Sequence, residues 1–163
     1  LYAAQAWLAG AEAEKLVLIN TLREDNTRLK WIGDALVRAV EIGGLPLFRD
    51  LFLPLLMNEE WQTENRGSFL ATPANYEPLA PDSGHYKLLA EAASSADWDL
   101  AYENLDLPTL VITGLQDHVF LDTDVVDQLF GRLPNGQRVE MKNAGHLIPG
   151  ERPLDLVDIL KAF

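Results

Sequence analysis

Two short runs of branched apolar residues constrain this chain more than any other feature. Lys15 to Asn20 reads KLVLIN, and Thr109 to Gly114 reads TLVITG. Each is continuous rather than alternating, the pattern of a strand buried on both faces of a parallel sheet. A third run, Gln137 to Lys142, alternates apolar Val139 and Met141 with polar neighbours, so one of its faces meets water and it belongs at a sheet edge. Between the second and third runs, Asp122 or Thr123 is suited to cap a helix carrying Val125, Val126, Leu129, Phe130 and Leu133, with Pro134, Asn135 and Gly136 ending it. A last periodic segment carries Leu156, Ile159, Leu160 and Phe163. Strand, helix, strand, helix is the order of right-handed crossovers and predicts an α/β fold built on a parallel sheet. In such sheets chemistry gathers at the carboxyl ends of the strands.

The remaining segments divide the chain. LYAAQAWLAG opens already in helical composition, with Leu1, Ala4 and Leu8 on one face, and stops at Gly10. A helix that begins at residue 1 without a start methionine is expected to have lost what preceded it. From Arg23 to about Asp97 the pattern becomes helical with irregular breaks. Leu29, Ile32, Leu36, Val37 and Val40 keep helical spacing up to a stop at Gly43-Gly44; Leu45 to Met57 is apolar on nearly every face, with Pro54 inside it; Pro73, Pro78, Pro81 and the PDSG turn at 81–84 mark a loop-rich exit before a short helix near Tyr86 to Ser94. The expected organisation is a core over residues 1–22, a helical insertion over 23–97, and a return to the core over 98–163.

Charge and composition exclude whole classes of function. The net charge of −12 and pI near 4.5 argue against a nucleic acid or an anionic membrane surface as partner, since both require clustered Lys and Arg. At 163 residues and 48% hydrophobic content the chain can bury one sizeable core. There is no cysteine, hence no disulfide framework, thiol nucleophile or thiolate-held metal. No apolar run approaches the roughly 18 residues of a membrane span. A cytoplasmic location is expected, although a chain that starts inside a helix carries no information about a signal peptide.

Two ionisable residues fall at the strand ends. Asp117, in GLQDHVF, follows the strand that ends at Gly114, and His146, in NAGHLIP, follows the last strand. A carboxylate accepting from one imidazole nitrogen fixes the tautomer and stabilises the imidazolium, which leaves the other nitrogen free as a general base. His118 adjoins Asp117, but neighbouring side chains there point apart; His85 is a weaker rival. A metal held by Asp117, His118 and His146 finds no further ligand spacing in support.

LPTLVITGLQDHVF (107–120), NAGHLIPGERPLDLVDILKAF (143–163) and EKLVLINT (14–21) together resemble the C-terminal portion of the α/β-hydrolase fold family: its strand-and-acid segment, its G-H turn with the E-R-P continuation and final helix, and the strand after the nucleophile helix. The resemblance implies a partial α/β-hydrolase fold in which 23–97 is a helical cap, Asp117 the acid of a catalytic triad and His146 its base. Some relatives carry the acid after the earlier strand, where this chain has Asn20, which favours Asp117. The family's order of nucleophile, acid and histidine puts the nucleophile upstream of both. Here the chain departs from the pattern: none of Ser68, Ser83, Ser94 and Ser95 stands in G-x-S-x-G. The nucleophile elbow is expected just before Leu1, which LYAAQAWLAG resembles the helix after, with the oxyanion-hole loop earlier still.

By that resemblance the intact parent is a serine hydrolase of the esterase kind, needing no cofactor and no metal, and this chain alone is inactive. A receptor-like, non-catalytic member of the fold, or an enzyme with an aspartate nucleophile (a dehalogenase or epoxide hydrolase), is the alternative. The apolar stretch from Leu45 to Met57 suggests a lid over a small-molecule ester of apolar character, with Phe48, Phe52 and Met57, and Val119 and Leu147 beside the acid and the histidine, as candidate substrate contacts. The same side chains serve equally well as glue to the core or to a second copy in a homo-oligomer. Glu59 and Glu60 are placed to capture a substrate amine, as caps of related iminopeptidases do, or are simply solvated.

Overall fold

The computed structural model describes residues 1–68, 76–94 and 97–163; Pro73 of the expected loop and Ser95 lie outside them. Three strands, β1 (Leu16–Ile19), β2 (Thr109–Gly114) and β3 (Gly136–Met141), form a parallel sheet in the order β1-β2-β3. Leu16 lies opposite Thr109 and Ile19 opposite Ile112, while Thr109 lies opposite Gly136 and Gly114 opposite Met141. The carboxyl ends of all three strands therefore face one rim.

The central strand β2 is buried at every position, as its unbroken apolar run predicts. Alternate residues feed two different cores because successive side chains of a strand point to opposite faces. Val111 joins Leu16, Leu18, Leu105, Val126 and Leu129 on one side; Leu110 and Ile112 join Met141, Ala144, Ile148 and Leu156 on the other. Helices α1 (Tyr2–Leu8) and α5 (Thr123–Phe130) cover the first face, and α6 (Ile148–Glu151) and α7 (Pro153–Ala162) the second. A fully buried side chain such as Ile112 contributes about 1.5–3 kcal/mol. β1 departs from the expectation of burial on both faces: Leu16 and Leu18 are buried, Val17 and Ile19 only partly. Among the described residues it pairs with β2 alone.

Between β1 and β2 the chain runs through α2 (Thr27–Leu56), α3 (Glu59–Asn65), a 3₁₀ turn at Arg66–Ser68 and α4 (Gly84–Ser94). Asn26 caps α2 by accepting from the Leu29 N–H, and Asn58 caps α3 by accepting from Trp61. The stop expected at Gly43-Gly44 is a kink between two helical halves. Gly44 has φ 62°, where an added Cβ would lie 2.3 Å from the Glu77 carbonyl oxygen, and Pro46 opens the second half, where its missing N–H costs nothing. At the other predicted cap, Asp122 accepts from Val125; α5 ends at Phe130, so Leu133 is buried beyond the helix rather than on it. Among the described residues no helix is long and apolar enough to cross a membrane.

Candidate active site

The loop after β2 and the loop after β3 meet at the rim. There Asp117 Oδ2 and His146 Nδ1 lie 2.6 Å apart. Asp117 is 4% exposed, and its other oxygen, Oδ1, accepts from the backbone N–H groups of Val119 and Phe120 at 3.0 and 2.9 Å. Burial alone pushes the Asp117 carboxyl up, but the bond and charge of His146 together with the two backbone N–H groups outweigh it and hold the pKa below the ordinary value. The carboxylate is thus ionised at neutral pH with both oxygens engaged. With Nδ1 tied to a carboxylate, the imidazole proton resides on Nδ1 and the lone pair on Nε2, the tautomer of a general base. Nε2 has no partner among the described residues.

Three devices hold the histidine loop in place. Gly145 passes so close to the end of α2 that an added Cβ would lie 2.2 Å from the Leu56 carbonyl oxygen, and a Cβ on Gly114 would lie 2.0 Å from the Gly145 oxygen; the glycine before the histidine is required by close approach. The His146 N–H donates to that same Leu56 carbonyl. Asn20, at φ 51° beyond β1, a conformation Asn tolerates, clasps the strand ends together: its Nδ2 donates to the carbonyls of Gly145 and His146, and its Oδ1 accepts from Gly114.

Glu151 supplies the third device. Its buried carboxylate accepts from the backbone N–H groups of Asn58, Gly145 and Leu147 at 2.7–2.8 Å. Replacing Glu151 by alanine strands these donors at about 1–3 kcal/mol each. The expected loss of about 3 kcal/mol or more lowers Tm by roughly 6–12 °C, at about 2–4 °C per kcal/mol for a domain of this size. Thermal unfolding followed by circular dichroism checks it, and an unchanged Tm would remove Glu151 from the scaffold.

A cavity of about 220 Å³ opens beside the His146 ring. Leu29 and Leu36 of α2, Leu89 of α4, Trp98, Phe120 and Arg23 line it. Phe120 packs against the imidazole at 4.8 Å between ring centroids. The residues expected from sequence to meet substrate lie elsewhere: Phe48 and Phe52 stack on each other at 5.6 Å, Met57 and Val119 are buried, and Leu147 is 42% exposed at the surface. Leu29 and Leu36 stood on the helical face noted in the sequence, but spacing says only that a face is covered, not by what. Glu60 is engaged by Arg152 and Glu59 starts α3, where acidic residues favour the helix dipole. His118 is exposed; its backbone N–H donates to the Leu55 carbonyl. Among the described residues no group of three or more His, Asp or Glu is placed to hold a metal ion.

No family model and no curated protein matches this sequence. Solved structures do. A thermophilic esterase from Thermogutta terrifontis superposes with a TM-score of 0.68 at 22% identity, over 91% of this chain and 54% of its own. MGS-M2, an α/β hydrolase from a Medee basin deep-sea metagenome library, gives 0.73 at 21%, over 91% and 55%. MenH from S. aureus gives 0.61 at 18%, over 98% and 62%. The chain has the α/β-hydrolase fold in part, spanning a little over half the length of these solved chains.

Proposed function

We propose that this chain is the acid-and-histidine part of a serine hydrolase that cleaves an ester or a related carbonyl bond. The observation that carries the reading is the hydrogen bond between buried Asp117 and partly buried His146, with Nε2 unengaged among the described residues and His146 lining an apolar cavity. His146 takes the proton of a nucleophile as it attacks the carbonyl carbon and returns it to the departing alcohol, and Asp117 stabilises the imidazolium between these steps. A water molecule, deprotonated by the same nitrogen, then releases the acid from the acyl-enzyme.

The attacking group belongs to a segment before Leu1. Leu1 packs against the core that covers one face of the sheet, and in this reading a nucleophile a few residues upstream of α1 is the group that His146 serves. Residues 23–97 act as the cap, since α2 and α4 contribute Leu29, Leu36 and Leu89 to the cavity roof. Without the upstream segment the chain is inactive. A cavity smaller than the roughly 300–1,000 Å³ of typical ligand sites suits a short acyl chain or a single ring.

Treatment of the intact parent protein with a fluorophosphonate is expected to add one phosphonyl group, read by intact-mass spectrometry, upstream of Leu1. Absence of labelling in folded protein would sink the serine mechanism. A covalent alkyl ester on an upstream aspartate after exposure to a haloalkane or epoxide would establish the aspartate-nucleophile alternative, and inertness to all three reagents the receptor-like one.

A further inference from the structure

Arg23 is an unusual wall for an apolar cavity. Its guanidinium carbon lies 4.4 Å from the ring centroid of Trp98 and 4.4 Å from that of Phe120, so two aromatic rings hold the cation. Its donors are mostly idle. A guanidinium carries five N–H bonds; Nη2 donates to the Asn20 carbonyl at 2.9 Å, Nε is buried without a partner, and Nη1 has none among the described residues. Asp117 is the carboxylate whose charge Arg23 feels, but both Asp117 oxygens are occupied by His146, Val119 and Phe120. Arg23 forms no ion pair among the described residues.

An arginine placed only for structure would have its fork satisfied by protein acceptors, because a buried, unneutralised charge is costly. Here Arg23 stands in the cavity wall with Nη1 unpartnered among the described residues, and a carboxylate binds a guanidinium edge-on, in its plane. Burial lowers the Arg23 pKa to about 10, which leaves it charged at neutral pH. Phe120 contacts both the Arg23 cation and the His146 ring, and both residues line the same cavity.

Resting on the hydrolase reading above, we infer that the cavity beside His146 binds a small organic carboxylate, and that the substrate carries its own carboxylate, held by Arg23 in the cavity wall that His146 shares. This replaces the wholly apolar ester expected from sequence. Val119, Phe48 and Phe52 have no part in it; Leu36 and Leu89 hold the apolar body, and Trp98 and Phe120 hold the arginine.

Isothermal calorimetry on the intact parent, with phenylacetate and its neutral isostere phenylacetamide as probes, tests this directly. The carboxylate is expected to bind at least about tenfold tighter than the amide, as one charge-assisted fork does over a neutral contact. Arg23→Gln should abolish that preference while leaving the amide affinity within about twofold, and Arg23→Lys should keep part of it. Equal affinities in the unmodified protein, failure of both probes to bind, or a preference that survives Arg23→Gln would each overturn the inference. Should Arg23→Gln not fold, Leu36→Trp fills the cavity instead: phenylacetate binding must then vanish, and its persistence would put the anion elsewhere. Hydrolysis of neutral p-nitrophenyl acetate is followed in parallel. Carboxylate preference without turnover overturns the hydrolase reading alone, and turnover without the preference overturns the carboxylate site alone.

Discussion

Replacing His146 by alanine in the intact parent is expected to lower kcat for a short activated ester by roughly 10³-fold or more, with KM little changed. The substitution removes the imidazole that lines the cavity and is backed by a buried carboxylate. Water can replace it only poorly, and what rate survives comes from binding and from whatever stabilises the oxyanion. His118→Ala is the internal control. His118 is exposed and tied to Leu55 through its backbone alone, so its loss should cost far less. Comparable losses at the two positions would mean that the wrong histidine carries the proton, and full activity without His146 would end the hydrolase mechanism.

The second large effect is expected at Asp117→Asn, on the order of 10³- to 10⁴-fold in kcat. The geometry specifies why so small a change is so damaging. Oδ1 accepts from the N–H groups of Val119 and Phe120, so an asparagine keeps its oxygen there and turns its amide NH₂ toward His146. Nδ1 must then accept, the ring proton moves to Nε2, and the nitrogen that should take a proton already holds one. Loss of the negative charge also removes stabilisation from the imidazolium. The same variant reports on folding. Because the Asp117 pKa is depressed in the folded state, its contribution is fully present above the ordinary aspartate value of 3.8 and is lost as pH falls through the lower folded value. Denaturation followed against pH should show the stability gap between parent and variant narrowing on that acid side; a gap that widens there would reverse the assigned shift.

The strands and the two ionisable loops were legible because their signals are local. An unbroken branched run such as TLVITG needs cover on both faces, and parallel strands with helical crossovers bring successive carboxyl ends to one rim, so Asp117 and His146 could be paired across 29 positions of sequence. Helix caps were legible for the same reason: Asp122 bonds an N–H three residues away. Glu151 stood in plain view within the E-R-P continuation, yet nothing in that motif says that its carboxylate joins Asn58 to the histidine loop across 93 positions. Asn20 read only as the absence of an acid, whereas its side chain fastens the ends of β1 and β2 to residues 145 and 146.

Local signals stop short of the cavity wall on a similar ground. Crowded apolar residues from Leu45 to Met57 announce burial against something, and hydrophobic attraction has no direction. Only the path of the chain decides which apolar face meets the cavity. The kink at Gly44 separates that stretch from Leu29 and Leu36, and these, not Phe48 or Phe52, reach the wall beside His146. Arg23 is the clearest case. In sequence it is one basic residue near the start of an insertion; two rings, from positions 98 and 120, hold its cation in the cavity wall. Sequence by itself determined the elements whose physics is local: strands, caps, and the placing of Asp117 and His146 at strand ends. Tertiary structure decided what surrounds them, because burial, charge pairing and cavity shape arise from residues that meet only when distant segments are packed together.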